Sequence, residues 1–83
     1  MAFRSFSQVV GATPVELYTA QPGDVDVWIR VTNYEVSIGG SDAQTFRIDG
    51  SEEFHSKVRP GDQIFAVRST SSNVQTHVLV RSA

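Results

Sequence analysis

Asp24-Val25-Asp26-Val27-Trp28-Ile29-Arg30-Val31-Thr32 sets the fold class of this chain. Val25, Val27, Ile29 and Val31 alternate with Asp26, Trp28 and Arg30, and a period of two sends successive side chains to opposite faces of a β-strand. One face of this strand is therefore apolar and belongs on a core. Val74, Thr76, Val78 and Val80 alternate in the same way with Gln75, His77, Leu79 and Arg81, which predicts a second long strand. Shorter segments show the same pattern: Val15 and Leu17 against Glu16 and Tyr18, then Tyr34-Val36-Ile38, Phe46-Ile48 and Phe54-Ser56-Val58. Ile64 to Arg68 is apolar on both faces, as a central strand requires; residues 1–12 read as an extended arm or edge strand, with Phe3 to Val10 able to extend onto a neighbour as an added strand. Alanine and leucine are scarce, and helix signals are nearly absent.

Turn chemistry separates these strands. Pro22-Gly23 suits the centre of a type II turn, where proline fixes φ and glycine supplies a positive φ. The same Pro-Gly-Asp recurs at Pro60-Gly61-Asp62, and poor matching of the flanks favours reuse of a good turn over an internal duplication. Asp49-Gly50 reads as a hairpin turn between Phe46-Arg47-Ile48 and Ser51 to Val58. Gly39-Gly40-Ser41-Asp42 closes the strand ending at Ile38, and Ser69 to Asn73 forms an exposed connection. Seven or eight short strands in one chain predict an all-β domain spanning residues 1–83. Its form is a small antiparallel β-sandwich of jelly-roll type or a small closed β-barrel.

The 83 residues fill one domain, and a domain of this size buries only about 60% of its unfolded surface. Small domains compensate with disulfides, metals or partners. The sequence has no cysteine, and its two histidines, His55 and His77, lack ligand-like spacing, so neither a metal nor a cofactor is expected. Self-association is the remaining route. A net charge of −2 with scattered arginines argues against nucleic acid, and no apolar run approaches the roughly 20 residues that span a bilayer. Met1 to Gln8 lacks the order of a secretory signal, so the chain is expected to be soluble and made in a cytoplasm.

Catalytic constellations are equally thin. No Gly-x-Ser-x-Gly elbow exists, and both histidines fall on outward strand positions. Glu52 and Glu53 are adjacent and point apart, while Asp24 and Asp26 share a face by strict alternation and read as solvated turn carboxylates rather than a calcium site with Asp62 or Asp42. Gly39-Gly40 lacks the lysine and helix of a phosphate cradle. No enzyme activity is expected. The more informative residues are large ones on the outward face: Trp28 beside Arg30, Tyr18 opposite Val15 and Leu17, and Leu79 with His77. Exposed aromatic, apolar and arginine side chains gathered together mark association surfaces, so Tyr18, Trp28, Arg30, His77 and Leu79 are the candidate interface residues.

Five segments carry a resemblance: Val31-Thr32-Asn33, Val36-Ser37-Ile38-Gly39-Gly40-Ser41-Asp42, Asp49-Gly50, Val58-Arg59-Pro60-Gly61-Asp62-Gln63-Ile64-Phe65-Ala66-Val67, and Thr76-His77-Val78-Leu79-Val80-Arg81-Ser82. Together they resemble the head decoration, or minor capsid, proteins of tailed bacteriophages. The resemblance implies a β-sandwich on the outside of the virion, commonly a homotrimer at threefold positions, whose partner is the major capsid protein. It carries over no active site. The competing expectation is a sugar- or receptor-binding β module of a tail or other particle, with Trp28 or Tyr18 as a stacking platform.

Overall fold

Pairing between strands far apart in sequence decides the architecture. The computed structural model describes Ala2 to Ala83, so Met1, the first residue of the expected N-terminal segment, lies outside the described residues. In chain order the eight strands are β1 (Ala2–Val10), β2 (Val15–Thr19), β3 (Asp24–Val31), β4 (Glu35–Gly39), β5 (Gln44–Asp49), β6 (Glu53–Lys57), β7 (Gln63–Arg68) and β8 (Val74–Ser82). They form two antiparallel four-stranded sheets, ordered β1-β8-β3-β6 and β2-β7-β4-β5. The pairs β1:β8, β2:β7, β3:β6 and β4:β5 are those of one long hairpin closed between β4 and β5. Successive pairs alternate between the sheets, so the hairpin is wrapped into a jelly roll, a sandwich of two separate sheets with no closed barrel.

The wrapping explains the repeated Pro-Gly-Asp. Both arms of the ribbon leave one sheet for the other at the same corner, β2 to β3 and β6 to β7, and each arm needs the same bend. Gly23 and Gly61 take φ of 95° and 92°, and Asp24 N–H donates to the Gln21 carbonyl as Asp62 N–H does to that of Arg59. The aspartate side chain then accepts from the amide that opens its own turn: Asp24 from Gln21 at 2.8 Å, Asp62 from Arg59 at 2.9 Å. The two turns are also tied to each other, through Ala20 N–H to Asp62 O at 2.8 Å and Gly61 N–H to Ala20 O at 2.9 Å.

Valines and isoleucines from both sheets fill the space between them. Val27, Ile29, Val36, Ile48, Val74, Val78 and Val80 are fully enclosed, each worth roughly 1.5–3 kcal/mol over leaving it in water. Phe46 of β5 and Phe54 of β6 meet edge to face with ring centres 5.6 Å apart and close one open side of the sandwich.

Four expectations are corrected. Asp49-Gly50 does not close a hairpin, because β5 and β6 lie in different sheets; Asp49 instead accepts from the Ser51 amide at 2.9 Å and turns the chain across the gap. Tyr34 stands outside β4, in the turn before it, with φ of 65°. Tyr18 is buried at 3% exposure: a bulge between Glu16 and Tyr18 breaks the alternation, so Leu17 and Tyr18 both reach the interior. A second bulge, between Asp24 and Asp26, moves those carboxylates to opposite faces of β3.

Candidate functional site

Strict alternation in β3 and β8 past the bulge sends one set of side chains into the core and the other onto the outer face of the β1-β8-β3-β6 sheet. Residues directly opposite in antiparallel strands share a face, so this outer face can be read row by row. One row runs Phe3, Arg81, Asp26, Lys57; the next Ser5, Leu79, Trp28, His55; the third Ser7, His77, Arg30, Glu53. Four of the five expected interface residues, Trp28, Arg30, His77 and Leu79, therefore stand together. Tyr18 belongs to the other sheet and to the interior, so it is not a surface contact.

Trp28 is half-buried, and its neighbours fix it. His55 stacks on it with ring centres 4.7 Å apart and planes 13° from parallel, and Phe3 lies on it at 6.5 Å. His55 is oriented by Asp26, to which its Nε2 donates at 3.0 Å; a carboxylate only accepts, so that nitrogen carries the proton. Asp26 also receives the Arg81 guanidinium and lies 3.9 Å from Lys57 Nζ. Its hydrogen bond from Arg81, then that from His55, hold the Asp26 carboxyl below the usual carboxylate range. A chain of contacts thus runs from Asp26 through His55 to the indole.

Beside this stack the sheet is concave. A depression of about 440 Å³ is lined by Ser7, Trp28, Arg30, Glu53, His77 and Leu79. His77 Nε2 and Thr32 Oγ1 are 2.5 Å apart at its rim. Arg30 and Glu53 face each other in register, and among the described residues neither has an ion-pair partner. The face offers the stacked Trp28 and His55 rings, the Leu79 side chain, and Arg30 and Glu53, which oppose each other without a closed ion pair.

Phe3 at 58%, Val9 at 56% and Leu79 at 38% are exposed on this face, and Phe6 of the edge strand β1 is 39% exposed on the inner face, while Tyr34 and Phe46 are exposed elsewhere. His55 was not among the expected interface residues, and Phe3, Phe6 and Val9 were expected only as part of the Phe3 to Val10 segment that adds to a neighbour. A Phe-x-x-Phe spacing in β1 lacks the clean alternation of β3, and only the pairing with β8 shows which side chains are outward.

On the opposite face of β3, Asp24 organises a buried polar cluster. Its carboxylate accepts both Arg4 Nη groups at 2.8 Å, Tyr18 Oη at 2.6 Å and the Gln21 amide at 2.8 Å. The Arg4 bond, ahead of those from Tyr18 and Gln21, holds Asp24 far below the usual carboxylate range, while burial and then Asp24 push the Tyr18 phenol well up. Arg4 is raised by the same carboxylate. Asp24 and Asp26 point apart, and each is occupied by basic side chains, so they do not form one cation site.

No protein-family model matches the chain, and no curated protein matches it.

Proposed function

We propose that this chain is a non-enzymatic surface protein of a tailed-bacteriophage head, attaching to a shell of major capsid protein through the outer face of the β1-β8-β3-β6 sheet. One observation carries the reading: Phe3, Trp28, His55 and Leu79 form a fixed aromatic and apolar patch on a single sheet face, ringed by Arg30, Glu53, Lys57 and Arg81. Large exposed apolar groups bordered by polar ones are the anatomy of protein docking sites, in which tryptophan and arginine contribute most. The segments that resemble decoration proteins supply the identity of the partner, and the jelly roll is an architecture that recurs in viral capsid domains. Many copies on a repeating shell reach high avidity from individually modest contacts.

The test is co-sedimentation of the purified protein with heads that lack it. Wild type is expected to saturate the shell, and Leu79→Lys or Trp28→Ala to weaken attachment by about tenfold or more, as for truncation at a hot spot. Attachment indifferent to both substitutions would refute the assigned face.

A second reading, a saccharide-binding module, is favoured by Arg30 and Glu53, which lie beside Trp28 in the concavity without a closed ion pair. Trp28 is the sole tryptophan, so a saturable fluorescence change on titrating host-surface saccharides would select it over shell attachment.

A further inference from the structure

We propose that two copies of this chain pair along the free edge of β1, antiparallel about a two-fold axis at Phe6, so that their four-stranded sheets join into one of eight strands.

This edge is unguarded. An edge strand presents unpaired N–H and C=O groups, and proteins protect such edges with short strands, bulges, prolines or charges. The other three edges of this sandwich obey that rule. β2 has five residues, comes directly after Pro14 and carries a bulge. β6 has five residues with Glu53 and Lys57 at its ends. β5 bears an exposed Arg47 and meets its neighbour through a register shift. β1 runs for nine residues in unbroken register from Ala2 to Val10, with no proline or glycine. Its one charge, Arg4, is turned to the inner face and held by Asp24.

The edge also carries apolar surface on both of its faces. Phe3 and Val9 are exposed on the outer face, and Phe6 on the inner one, at the side of the sandwich that the Phe46–Phe54 pair does not close. A strand added beside β1 covers all three at once, which a partner lying on one face does not.

The order of residues within β1 identifies the occupant. Read outward from Phe6, the sequence Ala2-Phe3-Arg4-Ser5-Phe6-Ser7-Gln8-Val9-Val10 is chemically symmetric. Antiparallel self-pairing centred on Phe6 sets Ser5 against Ser7, Arg4 against Gln8, Phe3 against Val9 and Ala2 against Val10, with the two Phe6 rings together. Every cross-strand pair then matches small with small, polar with polar or apolar with apolar, and no like charges meet. Moving the axis by one residue destroys this. Centred on Ser5, Arg4 faces Phe6 and Phe3 faces Ser7; centred on Ser7, Arg4 faces Val10 and Ser5 faces Val9. A C₂ contact requires a self-complementary patch, and this strand is one.

The pairing takes Phe3 into the seam and leaves Trp28, His55 and Leu79 on the joined outer face, which then carries two Trp28 stacks. It differs from the threefold arrangement that the resemblance implies.

Sedimentation velocity of the full chain from about 1 μM to about 1 mM tests it, with the dimer read as twice the 9.1 kDa chain mass. The double variant Ser5→Lys/Ser7→Lys sets like charges opposite each other twice and is expected to weaken the dimer by about tenfold or more. Ser5→Lys/Ser7→Glu sets opposite charges in the same places and is expected to restore it. Both serines are exposed, and far-UV circular dichroism verifies the fold of each variant. Register is read separately by oxidation, since the chain has no cysteine of its own. A mixture of Ser5→Cys and Ser7→Cys chains is expected to cross-link as a heterodimer, while Ser5→Cys alone, about 7–8 Å from its own copy across the pair, does not. A monomer throughout the range, a trimer, a dimer weakened equally by both charge variants, or equal cross-linking in Ser5→Cys alone overturns the proposal.

Discussion

Replacing Asp24 by asparagine tests whether the carboxylate that joins the two sheets is a main source of stability. In the wild type, Oδ2 accepts from Arg4 Nη2, Tyr18 Oη and Gln21 N, and Oδ1 accepts from Arg4 Nη1. Asparagine keeps one acceptor and loses the charge; with its oxygen in the Oδ2 place, its amide faces an Arg4 N–H, donor against donor. Breaking a buried charge pair from one side costs about 3–5 kcal/mol. Arg4 retains 40% side-chain exposure and rehydrates, so the lower end applies, about 3 kcal/mol. In a domain of this size that corresponds to a fall in Tm of roughly 12–24 °C. Urea unfolding monitored by Trp28 fluorescence gives the free energy. The pH dependence provides a second signature. Asp24 in the folded chain is held below the usual carboxylate range, so its contribution is full above the unfolded value of about 4 and is lost as pH falls through the folded one. The gap between wild type and Asp24→Asn therefore narrows below about pH 5, while Asp26 and Asp49, also lowered, are present in both proteins and cancel. A variant within about 0.5 kcal/mol of wild type at neutral pH, or a gap that stays constant down to about pH 2, would overturn this role for Asp24.

Gly23→Ala and Gly61→Ala are each expected to cost about 1–2 kcal/mol, since both residues hold a left-handed backbone with open space around the missing Cβ, and the shift in urea midpoint measures it. Tyr34→Gly relieves the same conformation in an exposed turn and should raise stability by up to about 1 kcal/mol; a loss would show that the ring makes contacts worth more than the strain. On the alkaline side, the raised Tyr18 phenol contributes stability that is full below about pH 10 and is lost as pH rises further. Tyr18→Phe should cost about 1.5 kcal/mol at neutral pH and abolish that alkaline loss in thermal melts.

Strand positions were legible wherever alternation was strict. Val27, Ile29 and Val31, and Val74 through Val80, lie as their period of two requires, and the sequence pattern of Ile64 to Arg68 matches the central position of β7. Both Pro-Gly-Asp turns could be read as turns, but their equivalence could not, because it arises from two ribbon arms crossing at one corner. Misreadings cluster at bulges and crossings. One extra residue in β2 buried Tyr18, and another in β3 separated Asp24 from Asp26, and neither has a local signature. Asp49-Gly50 carries the composition of a hairpin turn, yet β6 beyond it pairs in the other sheet; composition records a change of direction and not its destination. Most of the outer face was legible because Trp28, Arg30, His77 and Leu79 lie on β8 and on β3 past its bulge, where alternation is strict. The edge position of Phe3 to Val10 was legible too, but which of its side chains face outward was not, because that depends on pairing with β8 across most of the chain length.

The proposed shell attachment through the outer face of the β1-β8-β3-β6 sheet is measured most directly by acrylamide quenching of Trp28, free and on heads. The half-buried indole is expected to be open to the quencher in the free protein and shielded once the protein is bound. Saturating attachment with quenching unchanged would contradict it.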